Sequence, residues 1–201
     1  MGKRLFLILV LAALAVPATA SAGRYVRPGW TGNLDAWLGG HMLQSSHWEP
    51  VDDLLEFGVA GDFRPVSWPV NLCVEGYLGQ DEDQFTEADE TVSRYTLDMG
   101  TLHLGIRKYF TYSEWVDPFL SGGLAALYME QEFRDSRGNT LDDSLAGAGF
   151  FLGTGILFRP IPHFNVGLSG KWSYVPVEMK ARDLDSNGGN VQFGVEFGYH
   201  W

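Results

Sequence analysis

The sequence has a single cysteine, Cys73, so an internal disulfide is excluded. Beyond the N-terminus, no apolar run reaches the roughly 18 residues that a transmembrane helix requires. Basic residues are also scarce: 14 Lys and Arg stand against 25 Asp and Glu, and the formal net charge is −11. Because nucleic-acid phosphates would repel so acidic a chain, we exclude nucleic-acid binding as its function.

The N-terminus has the three parts of a secretory signal peptide. Lys3 and Arg4 precede an apolar run over residues 5–16, and Ala20-Ser21-Ala22 forms a small-residue cleavage site. A membrane anchor is the alternative, but the apolar run is too short for one. We therefore predict a cleaved signal peptide over residues 1–22 and one domain over residues 23–201.

The chain is rich in the residues of short strands, with 14% aromatics and 25 glycines. The clearest strand is residues 190–201, NVQFGVEFGYHW, in which apolar and polar or glycine residues alternate without interruption. In water, a wholly apolar face at a sheet edge would promote aggregation. In a closed membrane barrel, the same face would contact lipid. A soluble β-sandwich with an aromatic core is the alternative, but it leaves this face unexplained.

Similar alternation predicts eight strands. They cover residues 33–43, 54–63, 70–79, 92–110, 118–128, 145–158, 164–174 and 190–201. Within the fourth strand the apolar phase slips near Gly100, which predicts a β-bulge with Tyr95, Leu97 and Met99 facing outward.

The connections between these strands alternate in length. Residues 44–53, 80–91, 129–143 and 175–189 are long and mostly acidic, whereas 64–69, 111–116 and 159–163 are short. Outer-membrane barrels have long extracellular loops and short periplasmic turns. We predict an all-β fold, an eight-stranded antiparallel up-and-down transmembrane β-barrel, with both termini in the periplasm.

Aromatic side chains cluster near both ends of the predicted strands, as in the interfacial girdles of membrane barrels. The predicted girdle residues are Trp68, Trp115, Phe158, Tyr199 and Trp201 at the short-turn end, and Tyr95, Tyr128, Trp172 and Tyr174 at the long-loop end.

With these features, the chain resembles the small outer-membrane β-barrel superfamily of OmpA, OmpX and OmpW type. The resemblance rests on the signal peptide, the loop alternation and the C-terminal Phe197-Gly198-Tyr199-His200-Trp201, where family members usually end in Phe. It implies a monomer in the outer membrane of a Gram-negative bacterium, in contact with membrane lipid and lipopolysaccharide. It also implies that the barrel-assembly machinery reads the C-terminal strand.

Polar residues on the inward faces form the first candidate site. These are Glu56, Asp62, Glu75, His103, Arg107, Lys171 and Glu196, together with His200. Eight strands leave an interior that side chains just fill, and opposite buried charges should pair. We expect a closed polar lumen without a cofactor, and a non-catalytic role in envelope structure or surface interaction. The alternative is a narrow channel for small or hydrophobic solutes, as in the OmpW-type branch.

The first long connection suggests a second alternative, a lipid A-modifying enzyme. This connection and the end of the strand before it contain serines, histidines and carboxylates, which are the components of a nucleophilic triad. They are His41, Ser45, Ser46, His47, Glu49, Asp52 and Asp53. Such residues are common in loops, and the local motif of the barrel deacylases is missing. We therefore favour a non-catalytic protein.

A weak metal candidate lies in the last connection. Asp183, Asp185 and Asn187 have the D-x-D-x-N-G spacing that begins a calcium loop, but the twelfth position is Gly194 and not Glu. Asn187-Gly188 is also an ordinary hairpin turn. No metal site is therefore favoured.

Overall fold

The structure is a computed structural model that describes residues 29–43, 53–86, 92–110, 112–134, 140–179, 184–187 and 189–201. The described residues form ten strands: β1 (Trp30–Leu43), β2 (Asp53–Pro65), β3 (Asn71–Thr86), β4 (Val92–Tyr109), β5 (Val116–Arg134), β6 (Thr140–Ile161), β7 (Phe164–Tyr174), β8 (Pro176–Met179), β9 (Leu184–Asn187) and β10 (Asn190–His200). In this part of the chain, no helix is both long and apolar enough to cross a membrane.

Eight of these strands close into one antiparallel barrel. The order around the barrel is β1-β10-β7-β6-β5-β4-β3-β2, so β1 and β10 close the sheet. Their pairing runs from Asn33↔His200 to Leu43↔Asn190. The predicted eight-stranded up-and-down barrel is confirmed. In addition, β8 and β9 form a separate two-stranded hairpin within the connection that was predicted to be a loop.

The outer wall of the barrel is apolar. On β10, Phe193 is 57% exposed and Phe197 47% exposed, while their chain neighbours Gln192 and Glu196 are completely buried. Leu55, Leu124 and Leu168 on other strands are exposed in the same way. A sheet with this outward face is stable when lipid and not water surrounds it.

The predicted β-bulge near Gly100 is wrong. β4 pairs without a register shift with β3, from Asn71↔Arg107 to Thr86↔Val92, and likewise with β5. Leu97 and Met99 consequently point into the barrel, where they are buried. Their side chains pack against other apolar residues inside the barrel. This burial removes apolar surface from water, as contact with lipid would.

Two of the predicted loops are largely strands. β3 extends to Thr86 and β5 to Arg134, and β6 already begins at Thr140. Both connections lack proline, so every residue can donate a backbone hydrogen bond and the ladders continue through polar sequence.

The barrel interior is divided into an apolar and a polar part. We call the apolar part the apolar cap; it consists of Leu43, Leu54, Cys73, Leu97, Met99, Ala125, Leu127, Met129, Leu145, Phe151, Val175 and Val177. On β4, Leu97 and Met99 lie nearer the long connection than Arg107 does, and on β5 Leu127 and Met129 likewise follow Phe119. Most of the apolar cap therefore lies at the end with the long hairpins, and most of the buried polar residues lie toward the short turns.

Candidate functional site

Arg107 lies at the centre of the polar interior. Its Nη2 is 2.6 Å from Oε1 of Glu75, and its Nη1 is 3.3 Å from Oδ2 of Asp62 and 3.7 Å from Oε2 of Glu196. The guanidinium carbon lies 4.3 Å above the ring centroid of Phe119. Arg107 is only 1% exposed, so these charges interact in a medium of low dielectric constant.

Lys171 is the second buried cation. Its Nζ donates a hydrogen bond of 2.6 Å to the hydroxyl of Tyr77, which donates one of 2.7 Å to Oε2 of Glu75. The same Nζ is 3.4 Å from Glu75 and 3.7 Å from Glu196. Glu75 and Glu196 are thus shared between Lys171 and Arg107.

Two glycines provide room for the large side chains of this network. A Cβ on Gly58 would lie 2.4 Å from the Tyr77 ring, and one on Gly194 would lie 2.4 Å from the Trp37 ring. Trp37 in turn donates from Nε1 to Ser169 at 3.1 Å. Glycine is therefore required where the sheet backbone approaches these rings.

Asp62 is held mainly by neutral groups at the short-turn end. Nδ2 of Asn33 donates to it at 3.0 Å, and Asn71 and the Tyr109 hydroxyl also donate to it. His200 Nδ1 is 3.0 Å from Oδ1 of Asn33, which links the last strand to this group.

Glu56 forms a separate group near the apolar cap. Its carboxylate is 2.8 Å from Nδ1 of His41 and accepts a hydrogen bond of 2.7 Å from Gln192. His103 stacks on Phe151 at 4.4 Å between ring centroids, and its Nδ1 lies 3.5 Å from Glu75.

The structure thus turns all eight predicted interior residues inward, but Glu56 forms its own group with His41 and Gln192 near the apolar cap. Sequence reasoning missed most of the neutral partners, namely Asn33, Asn71, Tyr109, Asn165 and Gln192. The alternation places them inward, but nothing in their residue types distinguishes a partner from a filler. Asp35 is also buried there, and neither of its carboxylate oxygens accepts a hydrogen bond from the described residues.

The residues proposed for catalysis do not assemble in the described part of the chain. His41 is buried inside the barrel near the end of β1, and its described hydrogen-bond partners are Glu56 and Gln192. Residues 45–52 lie outside the described residues, and Asp53 begins β2.

The calcium candidate is likewise incomplete. Asp183 lies outside the described residues. Asp185 and Asn187 belong to β9, where they pair with Glu178 and Pro176. An extended, paired strand differs from the calcium loop that the D-x-D-x-N-G spacing would require.

Most of the predicted girdle aromatics lie on the outer surface. Trp68, Trp115, Phe158, Tyr174 and Tyr199 are exposed, while Tyr128, Trp172 and Trp201 are partly exposed. Tyr199 stacks on Trp201, and Trp172 packs edge-on against Phe150. Tyr95 is the exception. It packs against the apolar cap, because β4 has no bulge to turn it outward.

Comparison with known proteins identifies the family. Residues 6–200 match the model of the outer membrane protein beta-barrel domain, so the chain belongs to this family. It is therefore a protein of the bacterial outer membrane. A search of the curated proteins found no significant match.

Two solved structures show the same fold. Ail, the attachment invasion locus protein of Yersinia pestis, in complex with the heparin analogue sucrose octasulfate, has a TM-score of 0.56 at 15% identity, over 86% of this chain and 99% of Ail. A major outer membrane protein from Thermus thermophilus has a TM-score of 0.55 at 11% identity, over 86% of this chain and 99% of that one.

Proposed function

We propose that this protein is a non-conducting, non-catalytic barrel that serves envelope structure or surface interaction. One observation carries the proposal: side chains fill the interior in two successive layers. Arg107, Glu75 and Lys171 occupy the polar half, and Leu97 and Met129 belong to the apolar cap. An ion crossing the barrel would have to disrupt buried ion pairs and then enter an apolar layer.

The test is single-channel recording in planar bilayers. The purified barrel should insert without producing steady current steps. Heat-modifiable mobility on gels would verify folding, and a porin added afterwards would verify that the bilayer reports channels. Steady single-channel steps from the barrel alone would favour the channel for small or hydrophobic solutes.

We also propose that the protein has the membrane orientation and the partners that are usual in its family. Both termini lie in the periplasm, and the long hairpins extend into the medium next to lipopolysaccharide. The protein acts as a monomer, and its C-terminal strand is read by the barrel-assembly machinery. Protease digestion of intact cells should cleave the β3–β4 or β5–β6 hairpin and leave a C-terminal tag after Trp201 intact; cleavage of the tag would reverse the orientation.

The surface of the hairpins favours a cationic partner. Asp98 on β4 pairs in register with Glu130 on β5, and Glu132 follows on the same outward ladder. Arg94 and Arg134 pair at the end of this ladder, but residues 80–98 contain seven Asp and Glu against one Arg. Ail was solved with a polyanion, whereas carboxylates placed side by side would repel one. Cells carrying the barrel should therefore bind labelled polylysine more than cells carrying a Glu130→Gln/Glu132→Gln variant, and should not bind heparin. Heparin binding would contradict this assignment.

Mass spectrometry of lipid A tests the enzymatic alternative directly. Lipid A incubated with the purified barrel should keep its mass. A mass change that His41→Ala abolishes would replace our proposal with the lipid-modifying enzyme.

A further inference from the structure

A groove lies in the outer wall between β4, β5 and β6. It has a volume of about 470 Å³ and lies where the wall lacks a side chain, at Gly122. Gly122 pairs with Ile106 on β4 and with Leu152 on β6, and these neighbours are 51% and 58% exposed. The groove is therefore a gap between apolar side chains on the face that contacts lipid.

A cation borders this groove at its short-turn end. Lys108 follows Ile106 by two residues on the same outward face, nearer the short turns. Its Nζ donates a hydrogen bond of 2.7 Å to the carbonyl oxygen of Pro69. Within the described residues Lys108 forms no ion pair, so its charge remains available at the edge of the apolar wall. An ammonium group there extends its stem along apolar surface and directs its charge toward the headgroup region.

The combination fits one molecule, a phospholipid with a net negative headgroup. Its phosphate would pair with Lys108, and one acyl chain would run up the wall into the gap above Gly122. Basic groups beside membrane-spanning segments attract anionic lipids in this way, and filling the gap gives the chain close contacts that a smooth wall would not. We propose that this groove binds an anionic phospholipid from the leaflet on the short-turn side.

The experiment is native mass spectrometry of the barrel in detergent, titrated with phosphatidylglycerol or with phosphatidylcholine of the same chains. The wild-type barrel should retain one phosphatidylglycerol several-fold more strongly than phosphatidylcholine. Lys108→Ala should reduce phosphatidylglycerol retention to the level of phosphatidylcholine. Gly122→Leu should lower the retention of both lipids, because its side chain would occupy the gap.

Two matched variants control for non-specific effects. Arg64→Ala removes a cation at the same end, but its Nη1 donates to the carbonyl of Trp68 and it does not line the groove. Gly40→Leu adds the same side chain at another exposed position, where a new Cβ has no neighbour within 4 Å. Both should retain phosphatidylglycerol as the wild type does.

Gly122→Leu requires a small shift of Leu152, since a Cβ there would lie 3.2 Å from the flexible Cδ2 of Leu152 and 3.4 Å from the carbonyl oxygen of Phe151. If Gly122→Leu does not fold, Gly122→Ala gives a smaller reduction of the same kind. Equal phosphatidylglycerol retention by the wild type, Lys108→Ala and Gly122→Leu would overturn the proposal. A protein dimer that Gly122→Leu dissociates would also overturn it, since a second copy would then occupy the groove.

Discussion

Replacing Arg107 by Met tests whether the interior ion pairs are buried. Met keeps the apolar contact with Phe119 but removes the charge that neutralises Glu75, Asp62 and Glu196. Breaking a buried pair in this way costs roughly 3–5 kcal/mol, because a carboxylate remains buried without its partner. We expect the upper half of this range, since the arginine is shared by three carboxylates.

The assay is urea unfolding in lipid vesicles, followed by tryptophan fluorescence. Arg94→Met is the matched control, because Arg94 pairs with Glu82 at 3.1 Å while both side chains are about half exposed. An exposed pair of this kind contributes only about 0.2–1 kcal/mol. The two variants should therefore differ by several-fold in their effect on the free energy of unfolding.

A double variant separates loss of charge balance from loss of packing. Arg107→Met/Glu75→Gln removes both partners of the 2.6 Å pair. Its loss in free energy of unfolding should be smaller than the sum of the losses in the two single variants. If Arg107→Met unfolds at the same urea concentration as the wild type, the interior charges are hydrated. The closed lumen, and with it the proposed function, would then be wrong.

Further predictions concern other parts of the barrel, and each is measured by the same unfolding assay. Val195→Arg places a charge on the lipid face and should cost about 2–4 kcal/mol, whereas Tyr199→Arg at the end of the strand should cost only about 0–1 kcal/mol; equal tolerance would place this face in water. Gly194→Ala should destabilise by about 1–3 kcal/mol, because the new Cβ would clash with the ring of Trp37; an unchanged midpoint would show that the ring can move. Asp35→Asn should not destabilise the barrel, because neither oxygen of this buried carboxyl group accepts a hydrogen bond from the described residues; a loss of stability would show that the carboxyl group has a partner.

The outer wall could be predicted from sequence because it imposes an unbroken alternation. β10 is the clearest case: Phe193, Val195 and Phe197 are exposed, and their chain neighbours Gln192 and Glu196 are buried. The same rule failed on β4, where Leu97 and Met99 are apolar and yet face inward. An apolar side chain can be assigned to the lipid face where the interior is polar. Where the interior is itself apolar, hydrophobicity does not tell whether the side chain points outward or inward. The sequence therefore suggested a bulge where the strand is regular.

The sequence predicts which charged residues of the candidate site face inward, but not which of them contact one another. Arg107, Glu75 and Lys171 could be placed inside from strand parity alone. Which carboxylate pairs with which cation depends on the register of β3, β4, β7 and β10, and sequence does not give this register. Asn33 and Tyr109 are distant from Asp62 in sequence, and only the closed barrel brings their donor groups to its carboxylate.

The closure between the first and last strands also sets the order of folding events. Gly32 and Trp201 exchange backbone hydrogen bonds, and His200 reaches Asn33 across a sequence separation of 167 residues. Contacts between such distant residues form late, because the whole intervening chain must first be brought together. Until then the groups around Asp62 remain in contact with water, and an incomplete sheet has two unpaired edges. Burial of this polar group and loss of the sheet edges should therefore occur in the same, final and slowest step of folding.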